Sequence, residues 1–133
     1  MRKNIYPAIA GFIAGFIVIY SLEQLIRFIY PLPSGVNFDN PESARQAMSR
    51  MPACMFIVLL CAHEFGSFIA GLAASLLSGR GTSTSSLIAG ALVMLVGIWG
   101  MVVIYPPLWY VITSIPLYIP FAYLGYRVVR KKM

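Results

Sequence analysis

Glu64 and His63 are the residues of this chain best placed to do chemistry, because both lie near the middle of a long apolar run, Ala53 to Leu77. A charge at mid-depth in hydrocarbon costs on the order of 2.5 to 3.5 kcal/mol, so an acid there is expected to be neutral, paired or functional. The functional reading of Glu64 is a proton-accepting or cation-binding site. The structural reading is a neutral acid hydrogen-bonded across helices. His63 is the only histidine and has the chemistry to shuttle protons or to ligate haem or a metal. No cysteine or carboxylate cluster accompanies it, and Ser67 stands where the zinc-protease spacing needs a second histidine, so neither a metal nor a cofactor is expected. Successive helical residues point about 100° apart. His63 therefore aligns with Ser67, Ala70 and Ala74, and Glu64 with Cys61, Ser67, Gly71 and Ser75. Together these form a wide small-and-polar face that is expected to look inward.

Two further groups extend this set. Glu23 and Arg27 are four apart in the preceding apolar run, in the favourable order for an intrahelical ion pair. In one reading they neutralise each other, with Arg27 reaching outward. In the other, Glu23 turns inward toward the Glu64 face and makes a relay of two acids at different depths. In the last run, Pro116 and Pro120 remove two helix hydrogen bonds, and Thr113 and Ser114 stand beside the freed carbonyls. Ser67, Thr113 and Ser114 are therefore candidates to line a cavity. No nucleophile and base stand at recognisable spacing, so an enzyme is not expected.

The elements that must hold these residues are four apolar spans at about 5–30, 53–77, 87–105 and 108–126. Each is long enough to cross about 30 Å of hydrocarbon at about 1.5 Å per residue. The expected fold is one all-α transmembrane domain, a four-helix bundle. Only 11% of residues are charged, too few to cover a water-soluble surface. The loop at about 32–50 carries one further element: Asn40 as cap, Pro41 at the first helical position and Glu42 in the first turn, followed by Ala44, Ala47, Met48 and Met51 at helical spacing. That pattern predicts a short amphipathic helix lying on the outer membrane surface or capping the bundle. Ser85 or Ser86 is expected to cap the third span. The first span begins like a signal peptide, but its run is too long and no small-residue cleavage site follows.

The net charge of +6 is unevenly placed. Arg2, Lys3, Arg80, Arg127, Arg130, Lys131 and Lys132 share one side of a four-span chain, with no carboxylate among them. The positive-inside rule then puts both termini in the cytoplasm. The basic tail, 127–133, suits anionic lipid headgroups rather than nucleic acid. Tyr105, Trp109 and Tyr110 are expected at the outer membrane boundary, Tyr123 and Tyr126 at the inner one. Cys54 and Cys61 are too far apart along a helix for a disulfide and read as small packing residues.

Gly11 and Gly15, Gly66, Gly71 and Ser75, and Gly90 with Gly97 form small-residue seams that let helices approach closely, within the bundle or between protomers. A homo-oligomer or membership of a larger membrane complex is therefore expected.

The whole chain resembles a loose group of small four-span bacterial membrane proteins with no assigned activity. The resemblance rests on the basic start, the acid in span one, Tyr30-Pro31-Leu32-Pro33-Ser34-Gly35, Asn40-Pro41-Glu42, Gly66-Ser67-Phe68-Ile69-Ala70-Gly71 and Tyr105-Pro106-Pro107-Leu108-Trp109. It implies a bacterial inner membrane and supplies no mechanism. Small multidrug transporters are similar in length, span count and a lone acid in span one, but their first outer loop is short. Fluoride channels are similar around Gly66-Ser67-Phe68, with His63 in place of an asparagine, and their Thr-Thr-Phe-Ser signature is absent here. Two functions are expected. The first is an accessory or scaffolding protein that packs through its seams. The second is a small proton-linked transporter or channel using Glu64, His63 and Glu23.

Overall fold

Proline and glycine set the boundaries of this chain, and the apolar runs between them are helical. The structure, a computed structural model, describes the backbone of residues 2–31, 39–79, 83–104 and 106–132, and the side chains of 5–31, 39–79, 83–103 and 106–131. The side chains of Arg2, Lys3 and Lys132, as well as Arg80, Tyr105 and the loop 32–38 with Pro33, lie outside the described residues. The helices are α1 (Arg2–Ile29), α2 (Pro41–Arg50), α3 (Ala53–Ser78), α4 (Thr84–Ile104) and α5 (Leu108–Lys132), and no strand occurs among the described residues. All but α2 are long and apolar enough to cross a membrane. Their outward faces carry large exposed apolar side chains, among them Phe28, Leu77, Trp99, Val102 and Ile112. Such a surface suits lipid rather than water.

Pro52 precedes α3, and Gly79 ends it with φ +60°, a left-handed terminator that a side chain would strain. Ser85 and Ser86 do not cap α4. They are fully buried, and with no water to bond they reach across to α3: Ser86 donates to the Gly71 carbonyl at 2.7 Å and Ser85 to the Ala74 carbonyl at 3.5 Å. The first turn of α4 instead closes through Leu87 N–H on the Ser83 carbonyl at 2.9 Å.

α2 forms as its residues predict. Asn40 Oδ1 accepts from the Glu42 N–H at 3.0 Å, and Pro41 takes the first helical position. Ala44, Ala47 and Met48 are buried, and Met48 enters a cluster with Ile26, Met55, Phe56, Ala62 and Tyr110. Asn40→Ala is expected to weaken α2 by about 1 kcal/mol. Hydrogen exchange should show faster amides over 42–48 and unchanged amides in α3.

α3 and α4 touch each other and both outer helices, whereas α1 and α5 lie on opposite sides and do not meet among the described residues. α1 runs antiparallel to α3, and α5 parallel to it. Most small residues of the seams are consumed in these contacts. A Cβ on Gly11 or Gly15 would strike the backbone of Ala70, Ala74 or Gly66 on α3, and one on Gly66 would strike Ile19. A Cβ on Gly71 would strike the Ala122 backbone, one on Gly90 the Ala122 methyl, and one on Gly97 the Tyr118 phenol. Ser75 is buried in the same core.

One assignment made from residue type, that of the cysteines, is corrected by the packing, and two tyrosines prove to be buried in the bundle. Cys54 and Cys61 are free and exposed, on the outward stripe that also holds Ile57, Val58 and Phe65, so they do not pack within the bundle. Tyr110 is buried beneath α2 with Phe56, because its ring faces α3, while Trp109 next to it stays outward. Tyr126 is buried and receives a hydrogen bond from Arg130 at 3.3 Å, while Tyr123 is exposed.

Candidate functional site

The seam between α1 and α3 sets the register that builds the site. Gly15 lies against Gly66 and Ala70, and Ile19 against Gly66. One further turn brings Glu23 level with His63. Glu23 Oε1 lies 2.8 Å from His63 Nε2, and the Tyr118 hydroxyl lies 2.8 Å from His63 Nδ1. The imidazole thus ties α1 to α5 through α3. Tyr118 is fully buried between Pro116 and Pro120, its hydroxyl sits in the space left by Gly97, and its carbonyl accepts from Ser67 at 2.5 Å.

This arrangement accommodates two protonation states with the same heavy-atom contacts. With His63 neutral, Nε2–H donates to the Glu23 carboxylate and Nδ1 accepts from the Tyr118 hydroxyl. With His63 protonated, both ring nitrogens donate and the Tyr118 hydroxyl turns to accept. Only a hydroxyl rotation separates the two states. Low reorganisation of this kind suits a group that gains and loses a proton repeatedly.

The network faces a cavity of about 340 Å³ between α1 and α4. Its walls are mostly apolar, with Phe16, Tyr20, Val96 and Trp99 at its flanks and Met48 and Phe56 at the α2 end. Glu23, Arg27 and His63 line it, together with the phenols of Tyr20 and Tyr30. Phe16, Tyr20 and Trp99 are exposed, so the cavity opens sideways onto the apolar outside of the bundle. Glu23 keeps 28% of its side chain accessible and His63 12%, so the carboxylate stands at the opening and the imidazole behind it. A smaller void of about 40 Å³ continues past Glu23 and His63 toward Met101 and Tyr110.

Several residues singled out by type stand elsewhere. The ion-pair partner of Glu23 is His63 rather than Arg27. Arg27 is exposed at the cavity, with no hydrogen bond or ion pair among the described residues. Glu64 and His63 face different neighbours, as their spacing requires. Glu64 is buried on the α5 side, and neither carboxyl oxygen has a hydrogen-bond partner among the described residues. Ser67, Thr113 and Ser114 do not line the cavity: Ser67 bonds the α5 backbone, Ser114 is fully buried, and Thr113 is exposed. Pro116 and Pro120 are exposed as well, which turns the carbonyls they free outward rather than into the cavity.

Residue-by-residue reading of the chain did not single out Tyr118. A phenol flanked by two prolines in an apolar run, in a chain with a single histidine, was the available signal. No family model, curated protein or solved structure matches the chain, so the chemistry of this site is what points to a function.

Proposed function

We propose that this chain is a small proton-linked carrier of the bacterial inner membrane, with both termini in the cytoplasm, that takes an amphiphilic solute from within the bilayer. The observation that carries the reading is the Glu23–His63–Tyr118 network, which runs inward from the opening of an apolar cavity. A solute's apolar body lies along Phe16, Tyr20 and Trp99, and its head meets the charged end. Glu23 is already engaged by His63, so the uncommitted charge there is the Arg27 guanidinium. An anionic head is therefore favoured, and His63 supplies the accompanying proton.

The accessory role keeps less support. Its basis was the small-residue seams, and these are engaged between helices of the same chain. The open glycine of α4 is Gly100, which lines the cavity instead.

The test uses the full chain in vesicles that enclose a pH-sensitive dye, with octanesulfonate as the probe. This anion keeps its charge at all relevant pH values, so it does not carry protons across lipid by itself. Outside-acid vesicles are expected to acidify inside when the probe is added, faster than protein-free vesicles. Glu23→Gln is expected to cut that rate on the order of tenfold or more, since a neutral amide no longer holds protonated His63. Probe-independent acidification, or an unchanged rate in Glu23→Gln, would sink the proposal.

A further inference from the structure

Arg27 and Tyr30 stand three residues apart at the α2 end of the sideways-opening cavity, and both line it. The same wall continues down α1 through Glu23, Tyr20, Phe16 and Phe12, one stripe at helical spacing. From Phe12 to Tyr30 the stripe rises about 27 Å, close to the thickness of the hydrocarbon core. A cavity of about 340 Å³ drawn out along such a stripe is a slot rather than a round chamber. The packing of α1 on α4 creates it. Where α1 presents large rings, α4 presents Val93, Val96 and Gly100, and a Cβ on Gly100 would meet nothing within 4 Å. A narrow apolar slot of this length fits one extended hydrocarbon chain.

Apolar walls alone give little preference, because a chain that leaves lipid for an apolar slot gains no hydrophobic energy. The polar end decides what is held. Arg27 offers a fork of N–H donors, and the phenol of Tyr30 adds an O–H on the same wall. Arg27 has no hydrogen bond or ion pair among the described residues, and Glu23, one turn deeper, is turned onto His63. A guanidinium so placed is matched by a compact anionic head rich in acceptors. At the other end Phe12, Phe16 and Val93 offer no polar group, so the head has one end to occupy.

We propose that the slot holds a single-chain anionic lipid lying parallel to α1, its head on Arg27 and Tyr30 and its tail reaching toward Phe12. This deepens the carrier reading, since it rests on the same cavity and names the class of its solute. With both termini cytoplasmic, that posture is the posture of a lipid in the outer leaflet. Entry then needs a sideways step past Phe16, Tyr20 and Trp99, all exposed, and no inversion of the lipid.

Trp99 reports the posture, because its height is fixed by a chain of contacts. Glu23 meets His63, His63 meets Tyr118, and the Tyr118 hydroxyl fills the space at Gly97. Gly97 therefore stands level with Glu23. Trp99, two residues further toward the α2 end, lies beside the head of a lipid placed this way and far from its tail end.

The test uses the full chain in phosphatidylcholine vesicles, with Trp109→Phe as background so that Trp99 is the remaining tryptophan. The probe is hexadecanesulfonate brominated either close to the head or at the chain end, since bromine quenches indole fluorescence on contact. Quenching is expected to saturate, and to be several-fold stronger for the head-proximal bromine. Arg27→Gln should raise the half-saturating mole fraction on the order of tenfold, and Arg27→Lys should recover most of that loss. Gly100→Leu, which fills the slot from α4, should remove the saturable quenching. Excess unlabelled hexadecanesulfonate should displace the probe, and the two-chain anionic lipid phosphatidylglycerol should not. Four results overturn the proposal: quenching that rises without saturation, as from ordinary boundary lipid; equal or stronger quenching by the chain-end bromine; saturation indifferent to Arg27→Gln; or displacement by phosphatidylglycerol. Saturable binding in a chain that moves no protons with octanesulfonate would refute the carrier and leave the lipid site standing. Proton-linked movement of octanesulfonate without saturable binding of the long chain would do the reverse.

Discussion

Gly71→Leu is expected to leave no folded bundle. A Cβ at Gly71 would overlap the carbonyl oxygen of Ala122 and lie 2.7 Å from its carbonyl carbon and Cα, all backbone atoms that cannot swing aside. The Gly71 carbonyl also receives the Ser86 hydroxyl from α4, so the position locks three helices at once. Overpacking a core typically costs about 1 to 3 kcal/mol where side chains can yield. Here the obstacle is main chain, and the cost exceeds that range. Size-exclusion chromatography of the detergent extract should show aggregate in place of the wild-type peak. Gly100→Leu is the control: a Cβ there meets nothing within 4 Å, and the variant is expected to elute as wild type. A well-folded Gly71→Leu chain would mean that α3 and α5 do not meet at Ala122.

His63→Gln is expected to lose proton-linked uptake of octanesulfonate on the order of 10²-fold, the usual scale for removing a positioned proton carrier. Glutamine can keep one hydrogen bond to Glu23 or Tyr118 but cannot hold a charge, so the fold should persist while the coupling goes. Tryptophan fluorescence from Trp99 on the cavity flank checks the fold in the same sample. Retained coupling in this variant would place the proton on Glu23 alone and remove the imidazole from the mechanism.

Much of this architecture is legible in the residues. Prolines at 41, 52 and 106–107, the Asn40 cap and the glycine at 79 mark helix ends through local stereochemistry, which one chain segment determines by itself. The inward setting of Glu64, Ser67, Gly71 and Ser75 also follows from helical spacing. What spacing does not convey is how helices are rotated against each other. The i,i+4 rule pairs Glu23 with Arg27 because they are neighbours on one helix. The antiparallel contact at Gly15 and Gly66 instead turns Glu23 onto His63, 40 positions away. Out of water, a buried imidazole competes strongly for that carboxylate, whereas Arg27 can reach the interface. The roles of Ser85, Ser86 and Tyr118 were hidden for the same reason: each bonds a group on another helix, and no local pattern encodes that.

The separation of α1 from α5 bears on how the protein is made. α1 is synthesised first, and its partner along the Gly11–Gly15 seam is α3, which emerges only after the loop and α2. In a chain inserted helix by helix, Glu23 therefore waits in the membrane with no histidine beside it, and it must cross as a neutral acid or lean on Arg27 one turn away. In the second case, the pairing the finished structure rejects would be the one that carries the nascent helix through. Arrival of His63 would then release Arg27 to the cavity, and completion of the bundle and creation of its free cationic group would be a single event.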